Sequence, residues 1–132
     1  MRFADTSFWY AYQDRSDARH PQALALVNAG VGRVVTSNHV LGETWTLLRR
    51  RVGHAGAVGF IDRVSRVAGV EIVRVDEVIE ADAWRWLRSH DERSYSFVDA
   101  TSFAVMRRRR IREALAFDAD FTAAGFVEVR PA

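Results

Sequence analysis

Four acidic residues occupy positions from which they could form one reaction centre. Asp5 and Asp118 each follow a short apolar stretch that predicts a strand, Glu43 lies on the helix after the second strand, and Asp99 opens a later helix. In an open parallel sheet the active site lies at the carboxyl ends of the strands. Carboxylates gathered there repel one another, and a hard divalent cation such as Mg²⁺ or Mn²⁺ relieves that repulsion. The four acids therefore predict a metal centre and metal-assisted phosphodiester cleavage, in which the ion orients a water molecule and lowers its pKa.

Each acid also has a purely structural explanation. Asp5 and Asp118 precede short helical segments and could cap them. Asp99 stands three residues after Ser96, which is the spacing of a capping box. Glu43 could be an exposed glutamate at the border of an apolar helix face. Taken one at a time, both explanations stay open for every acid, and only the set of four favours a catalytic centre.

The hydrophobic periodicity predicts strands that alternate with helices. The predicted strands are residues 2–5, 33–36, 70–75, 114–117 and 127–129. The predicted helices are residues 6–12, 21–29, 38–52, 55–67, 76–89 and 96–108, with a helical turn at 118–124. This alternation predicts an α/β fold, a three-layer α/β/α sandwich with a central, mostly parallel sheet of four to five strands. We expect residues 1–132 to form a single domain.

The composition excludes several kinds of chemistry. The chain has no cysteine, so disulfides, thiolate metal sites and a cysteine nucleophile are excluded. All 19 basic residues are arginine, which excludes a P-loop and argues against a receiver domain, because both need a lysine. The four histidines lack the spacing of a zinc site. An Asp-x-Asp pair occurs only near the end of the chain, where a haloacid-dehalogenase-like phosphatase would need it early. Without a signal peptide or a membrane-spanning stretch, we expect a soluble, cytoplasmic protein.

Two runs of arginine lie at the ends of predicted helices, at residues 49–51 and 107–110. One explanation is that they complement the helix dipoles and keep the protein soluble. The other is that they bind RNA phosphates, since a net charge of only +2 can conceal a basic face. The candidate RNA-binding residues are Arg49, Arg50, Arg107 and Arg108.

Four segments of the chain together resemble the motifs of the PIN-domain family, and specifically its VapC-type ribonuclease toxins. The segments are Phe3–Ser7, Thr36–Glu43, Ser96–Met106 and Ala116–Phe121, the last followed by Ala124–Phe126. Each motif alone is unspecific, but they follow the family's order over nearly the whole chain. The ordered set therefore identifies the chain as similar to a VapC-type toxin.

The resemblance implies a Mg²⁺- or Mn²⁺-dependent endoribonuclease of α/β/α fold that belongs to a toxin–antitoxin pair. It also implies a homodimer, an RNA substrate and inhibition by a small, VapB-like antitoxin protein. The residues that match the family's metal-site acids are Asp5, Glu43, Asp99 and Asp118. The residues that match supporting positions near the metal site are Ser7, Ser102 and Asp120.

Two other functions remain open within the same family. One is a PIN-like housekeeping nuclease or structure-specific DNA nuclease, although such proteins are usually longer. The other is an inactive PIN-fold module that binds nucleic acid or protein without a metal. The presence of all four acids argues against the inactive module.

Overall fold

A computed structural model describes all 132 residues and contains one five-stranded sheet. All strand pairs are parallel, and the spatial order is β3-β2-β1-β4-β5, with β1 in the centre. The strands are β1 (Arg2–Ala4), β2 (Val34–Ser37), β3 (Val70–Val73), β4 (Glu113–Leu115) and β5 (Val127–Glu128). A parallel sheet requires a crossover after each strand, and helices supply these crossovers.

Seven helices connect and cover the strands. They are α1 (Thr6–Gln13), α2 (His20–Ala29), α3 (Asn38–Arg51), α4 (His54–Val64), α5 (Glu77–Arg88), α6 (Phe97–Arg109) and α7 (Asp120–Ala123). Several of them begin directly after a residue whose side chain caps the helix. Ser37 caps α3, Asp76 caps α5 and Ser96 caps α6, each by accepting a hydrogen bond from a backbone N–H of the first turn. No helix has both the length and the apolar character needed to cross a membrane.

The core lies between the sheet and the helices and is rich in aromatic rings. Phe3, Phe8, Phe103 and Phe121 are among its largest fully buried side chains. Helix α6 is the most enclosed helix, because every residue from Asp99 to Met106 is buried. A helix buried on all sides holds its first turn firmly, and this turn carries one of the predicted metal-site acids.

The predicted α/β sandwich with a parallel sheet is confirmed, and all twelve predicted elements are present. The main differences lie at the ends of the elements. The third strand stops at Val73 instead of residue 75, because its partner β2 ends at Ser37, opposite Val73. Helix α4 ends at Val64 instead of residue 67.

Candidate metal centre

Three carboxylates meet at the carboxyl ends of the central strands. Asp5 directly follows β1, Asp118 follows β4, and Asp99 lies in the first turn of α6. Each offers one oxygen, and these oxygens lie within 4.8 Å of one another. We call these three residues the acidic cluster. It lies in a cleft of about 340 Å³, whose walls come from β1, α1, α3, α6 and the segment after β4.

Asp5 is fixed by bonds that join β1 to β4. Its backbone N–H donates to the carbonyl of Leu115 at 3.0 Å, which extends the pairing of the two strands by one residue. Its Oδ2 accepts hydrogen bonds from Ser7, from the backbone N–H at 3.1 Å and from the hydroxyl at 2.8 Å. The Ser7 hydroxyl in turn accepts the N–H of Phe117 at 3.0 Å. Ser7 therefore connects Asp5 to the segment that carries Asp118.

The other two acids are held by equally local bonds. Asp99 forms a capping box with Ser96, whose N–H donates to Asp99 Oδ2 at 3.0 Å. Asp118 Oδ1 accepts the backbone N–H of Asp120 at 3.1 Å. The structural and the chemical explanations are thus compatible, because a carboxylate has two oxygens. One oxygen of each acid binds the backbone, and the other makes no hydrogen bond within the protein.

The environment of the acidic cluster disfavours three negative charges. Burial is the main cause that raises the pKa of Asp5 well above its usual value, and the charge of Asp118 raises it further. Asp118 lies at the mouth of the cleft, where desolvation and then the charge of Asp99 raise its pKa to about 6. Burial also raises the pKa of Asp99, with smaller contributions from Asp120 and Glu43. A cation between the three carboxylates would remove this penalty.

Glu43 lies in the same cleft but outside the acidic cluster. It is half-buried on α3, and its carboxylate is not among the oxygens that lie within 4.8 Å of one another. It is near enough for its charge to raise the pKa of Asp99. This position suits contact with a bound ion through a water molecule.

The other predicted supporting residues lie at different distances from the acidic cluster. The Ser102 hydroxyl is buried and donates to the carbonyl of Val98 at 3.0 Å, so it bonds to its own helix and not to an acid. Asp120 lies beside the cleft, where its Oδ1 accepts Arg93 Nε at 3.0 Å and Nη2 at 2.8 Å. Because Asp120 already forms an ion pair with Arg93, its carboxylate is less free to bind a metal ion than those of the acidic cluster.

The predicted RNA-binding arginines lie outside the cleft. Arg49 and Arg50 are exposed on the last turn of α3. Arg107 and Arg108 lie at the far end of α6 from Asp99, in a separate groove between α5 and α6. There Arg108 makes a bidentate ion pair with Asp82, at 2.9 and 3.1 Å.

Sequence reasoning missed Arg19 and Glu128 near the acidic cluster, and it gave Arg51 only as part of the arginine run at residues 49–51. Arg19 and Arg51 line the cleft itself. Glu128, on β5, is buried and accepts hydrogen bonds from the N–H groups of Ala119 and Thr122, at 3.2 and 2.9 Å, beside Asp118. The position of Arg51 could have been predicted, because it lies eight residues after Glu43 and therefore on the same helix face. No sequence pattern predicts the positions of Arg19 and Glu128, because their roles depend on contacts between distant segments.

The donor set fits a hard divalent cation. It consists only of carboxylate oxygens, without a histidine or a thiolate, which matches the preference of Mg²⁺ and Mn²⁺. Asp5 and Asp99 have no fully buried oxygen that lacks a hydrogen-bond partner. The oxygen of each residue that accepts no hydrogen bond is therefore accessible from the cleft. The uncompensated repulsion within the acidic cluster supports the same conclusion.

Comparisons with known proteins identify the family. The model of the PIN domain matches residues 2–127. The 23S rRNA-specific endonuclease VapC20 of Mycobacterium tuberculosis is 60% identical over 132 residues, covering 99% of both chains. A VapC ribonuclease of Archaeoglobus fulgidus is 25% identical over 123 residues, covering 89% of this chain and 77% of that protein. The crystal structure of Mycobacterium tuberculosis VapC20, described as a sarcin-ricin loop cleaving toxin, superimposes with a TM-score of 0.95 at 55% identity, covering 99% of this chain and 100% of that one. The chain therefore belongs to the PIN-domain family and is of the VapC type.

Proposed function

We propose that this protein is a metal-dependent endoribonuclease and the toxin of a VapBC-type toxin–antitoxin pair, with ribosomal RNA as its substrate. The observation that carries the proposal is the acidic cluster, whose three carboxylates line one cleft, with one oxygen of each within 4.8 Å of the others. The similarity to an endonuclease specific for 23S rRNA supports the choice of substrate. Cleavage of ribosomal RNA would place the protein in the cytoplasm.

The residues of the cleft divide the work of hydrolysis. Asp5, Asp99 and Asp118 are the residues that would hold Mg²⁺ or Mn²⁺. Such an ion would supply positive charge beside the phosphate and lower the pKa of water. Glu43 lines the same cleft from α3, where it would hold a water molecule next to the acidic cluster. Ser7 keeps Asp5 and the Asp118 segment at a fixed separation through its two hydrogen bonds.

A second surface suits a VapB-like antitoxin. A groove of about 690 Å³ between α1, α2 and α4 is lined mainly by hydrophobic side chains, among them Trp9, Leu24 and Phe60. Leu24 is 40% exposed at its edge. An amphipathic segment of a small protein would cover these side chains. Loss of antitoxin binding on Leu24→Arg, measured by co-purification, would support this assignment, and retained binding would contradict it.

A third surface suits a homodimer. Trp84 on α5 is 48% exposed and stacks on Phe97 of α6, with ring centroids 4.4 Å apart. Val78, on the same helix, is 55% exposed. Large exposed aromatic and aliphatic groups of this kind are enriched at subunit interfaces. Sedimentation of Trp84→Glu should give monomers; an unchanged dimer would exclude this surface.

The decisive experiment compares Asp99→Asn with the wild type after brief expression. The asparagine oxygen can still accept the Ser96 N–H, so the capping box and the fold should survive while the charge is lost. We expect loss of growth arrest and of every RNA cut, mapped by primer extension across the ribosomal RNAs. Asp62→Asn, on the exposed face of α4, is the matched control and should cut as the wild type does.

The alternatives give different results in the same comparison. Cleavage by Asp99→Asn at the wild-type rate would exclude the acidic cluster as the reaction centre. Cleavage that persists in EDTA would exclude a metal-dependent reaction. Faster cleavage of flap DNA than of RNA would favour the structure-specific nuclease, and no cleavage of either would favour the binding module.

A further inference from the structure

Two arginines share the cleft with the acidic cluster. Arg19 lies in the loop between α1 and α2, and Arg51 lies at the end of α3. Both are exposed, and neither guanidinium group has a carboxylate oxygen within 4.0 Å. The negative charge of the acidic cluster would repel an RNA strand, so a cleft that admits RNA needs positive charge at its edges as well as at its centre.

Arg51 is aimed along the face of α3 that lines the cleft. Glu43, Leu47 and Arg51 follow one another at intervals of four residues and all line it. The side chain of a helical residue points toward the start of its helix, which directs Arg51 toward Glu43. Its guanidinium carbon lies 5.2 Å from the centre of the Tyr10 ring. Burial raises the pKa of Tyr10, and the guanidinium partly opposes this effect as a hydrogen-bond donor to the Tyr10 hydroxyl. The ring therefore supports the guanidinium, and its other N–H groups stay available.

The guanidinium of Arg19, in the loop between α1 and α2, also lies over an aromatic ring. Its guanidinium carbon lies 5.8 Å from the centre of the Phe117 ring, and Phe117 directly precedes Asp118. The loop is anchored by the Arg19 backbone N–H, which donates to Asp17 Oδ1 at 2.8 Å. The side chain makes one hydrogen bond, from Nη1 to Gln22 Oε1 at 3.4 Å. Most of its donors are thus free to bind a ligand.

Six other arginines pair with acids, among them Arg85 and Arg108, which share Asp82. The guanidinium groups of Arg19 and Arg51 have no acidic partner and lie over aromatic rings. Arg107 combines the same two features over Trp86, but it lies in the groove between α5 and α6, so only Arg19 and Arg51 combine them in the cleft. A planar guanidinium in this state binds phosphate with two parallel hydrogen bonds.

We propose that Arg19 and Arg51 are the phosphate-binding residues of the cleft and hold the phosphates of the RNA strand that lie next to the one to be cut. The assignment rests on the proposed function, because it takes the substrate to be RNA. It places the main RNA contact on the walls of the cleft, so that Arg51 alone takes part from the predicted arginine runs, together with Arg19, which lies outside both runs. The two residues bind and position the strand, and the acidic cluster performs the chemistry.

The test measures RNA binding separately from cleavage. Arg19→Gln and Arg51→Gln are made in the Asp99→Asn background, and the affinity for an RNA hairpin that carries the sarcin-ricin loop is measured over a range of salt concentrations. Each substitution should weaken binding about tenfold or more. Each should also reduce the slope of log affinity against log salt by about 0.7, the value for one phosphate contact on a single strand. In the cleavage-competent protein, kcat/KM should fall in parallel.

Two further variants separate phosphate binding from a structural or general electrostatic effect. Arg112→Gln removes the same charge from an exposed position before β4, at the opposite end of the strands, and should leave affinity and slope unchanged. Arg51→Lys keeps the charge and should restore the slope, with weaker binding than arginine. The thermal midpoints should stay within a few degrees of the wild type.

Three results would overturn the inference. They are a wild-type salt slope in Arg19→Gln and Arg51→Gln, an equal loss in Arg112→Gln, and a slope that Arg51→Lys does not restore. The proposed function fails separately, if Asp99→Asn still cuts RNA. The binding measurements do not depend on cleavage, so the two failures are distinguishable.

Discussion

Each acid of the cluster serves the fold and the proposed chemistry at once. Asp5, Asp99 and Asp118 give one oxygen to a backbone N–H and leave the other in the cleft. The backbone bonds fix the carboxylates in place, and they also favour the charged form. Burial and mutual repulsion outweigh them, because all three pKa values are raised. Without a cation, the acidic cluster therefore destabilises the fold.

Replacing Asp5 by asparagine should make the metal-free protein more stable and inactive. Asparagine keeps an oxygen for the two bonds from Ser7, removes a buried charge and places an amide beside Asp118. We expect a gain of about 0.5–2 kcal/mol in the free energy of unfolding in EDTA at neutral pH, as is usual when a functional charge is removed. Thermal melting measures the gain, and RNA cleavage should be lost.

A matched substitution on the surface isolates the effect of the site. Asp62→Asn removes an exposed charge from α4 and should change the free energy of unfolding by less than about 0.5 kcal/mol. If Asp5→Asn melted at a lower temperature than Asp62→Asn, or kept its activity, repulsion within the acidic cluster would not be the dominant effect.

Local sequence patterns identified the acids but not their neighbours. Asp5 and Asp99 lie where a strand ends or a helix begins, and such positions follow from short stretches of sequence. Arg19 lines the cleft with its guanidinium over the Phe117 ring, far away in sequence, and Glu128 reaches the Asp118 segment from the neighbouring strand β5. The arginines at the helix ends were predicted to bind RNA because they form runs. A run of arginines does not show which surface of the folded protein each side chain faces.

At the scale of elements, the segment between β4 and β5 depends on a single buried glutamate. Glu128 accepts the N–H groups of Ala119 and Thr122 and the hydroxyl of Thr122, and it pairs with Arg130 at 3.1 Å. Burial alone would raise the pKa of Glu128, but these bonds outweigh it, and the pKa is lowered. Ala119 has a φ of 66°, a strained angle for a residue with a side chain. The glutamate thus holds a strained turn directly after Asp118.

Glu128→Gln should loosen this turn and weaken metal binding. Glutamine replaces one carboxylate oxygen with an NH2 group, which cannot accept a hydrogen bond, so one of the two backbone N–H groups loses its partner, at a cost of about 1–3 kcal/mol. Because Glu128 acts through the position of Asp118, the half-saturating Mn²⁺ concentration for cleavage should rise, and the rate at saturating Mn²⁺ should largely recover. Titration of the cleavage rate with Mn²⁺ checks this.

Glu113→Gln is the control for that titration, since Glu113 is an exposed glutamate on the neighbouring β4 and pairs only with Arg2. It should need no more Mn²⁺ than the wild type. A lower rate of Glu128→Gln at every Mn²⁺ concentration would mean that Glu128 does more than position Asp118.

Hydrophobic periodicity predicted the strands but not the residues at which they end. The sequence predicted every strand, but it extended the third to residue 75 and placed the fourth at 114–117. In the structure β4 ends at Leu115, opposite Ala4, the last residue of β1. The ends of β3 and β4 thus coincide with the end of one neighbouring strand, and which strand is the neighbour depends on the order of strands in the sheet, which no local pattern contains.

On the scale of the whole molecule, the three surfaces proposed for RNA, an antitoxin and a second copy of the chain lie mostly on different elements. The cleft is formed at the strand ends, the apolar groove between α1, α2 and α4, and the exposed aromatic pair on α5 and α6. RNA, an antitoxin and a second copy of the chain could therefore each contact a separate surface. Helix α1 is shared, because it contributes Tyr10 to the cleft and Trp9 to the groove. A protein bound in the groove would thus contact a helix that also forms the reaction centre.

The acidic cluster should make the stability of the whole protein depend on pH and metal together. The pKa of Asp118 is raised from 3.8 to about 6, so in this range the folded protein holds a proton that the unfolded chain has released. This contribution to stability is complete below pH 3.8 and is lost as the pH rises through about 6. A divalent cation binds the ionised carboxylates, so its stabilising effect should grow over the same range.

We expect the difference in melting temperature between excess Mg²⁺ and EDTA to widen from about pH 4 to about pH 7 in the wild type. It should be small and nearly constant in Asp118→Asn, whereas Asp62→Asn should follow the wild type. A wild-type difference that did not change with pH would mean that no cation replaces the protons, and the acidic cluster would then be a structural cap and not a metal centre.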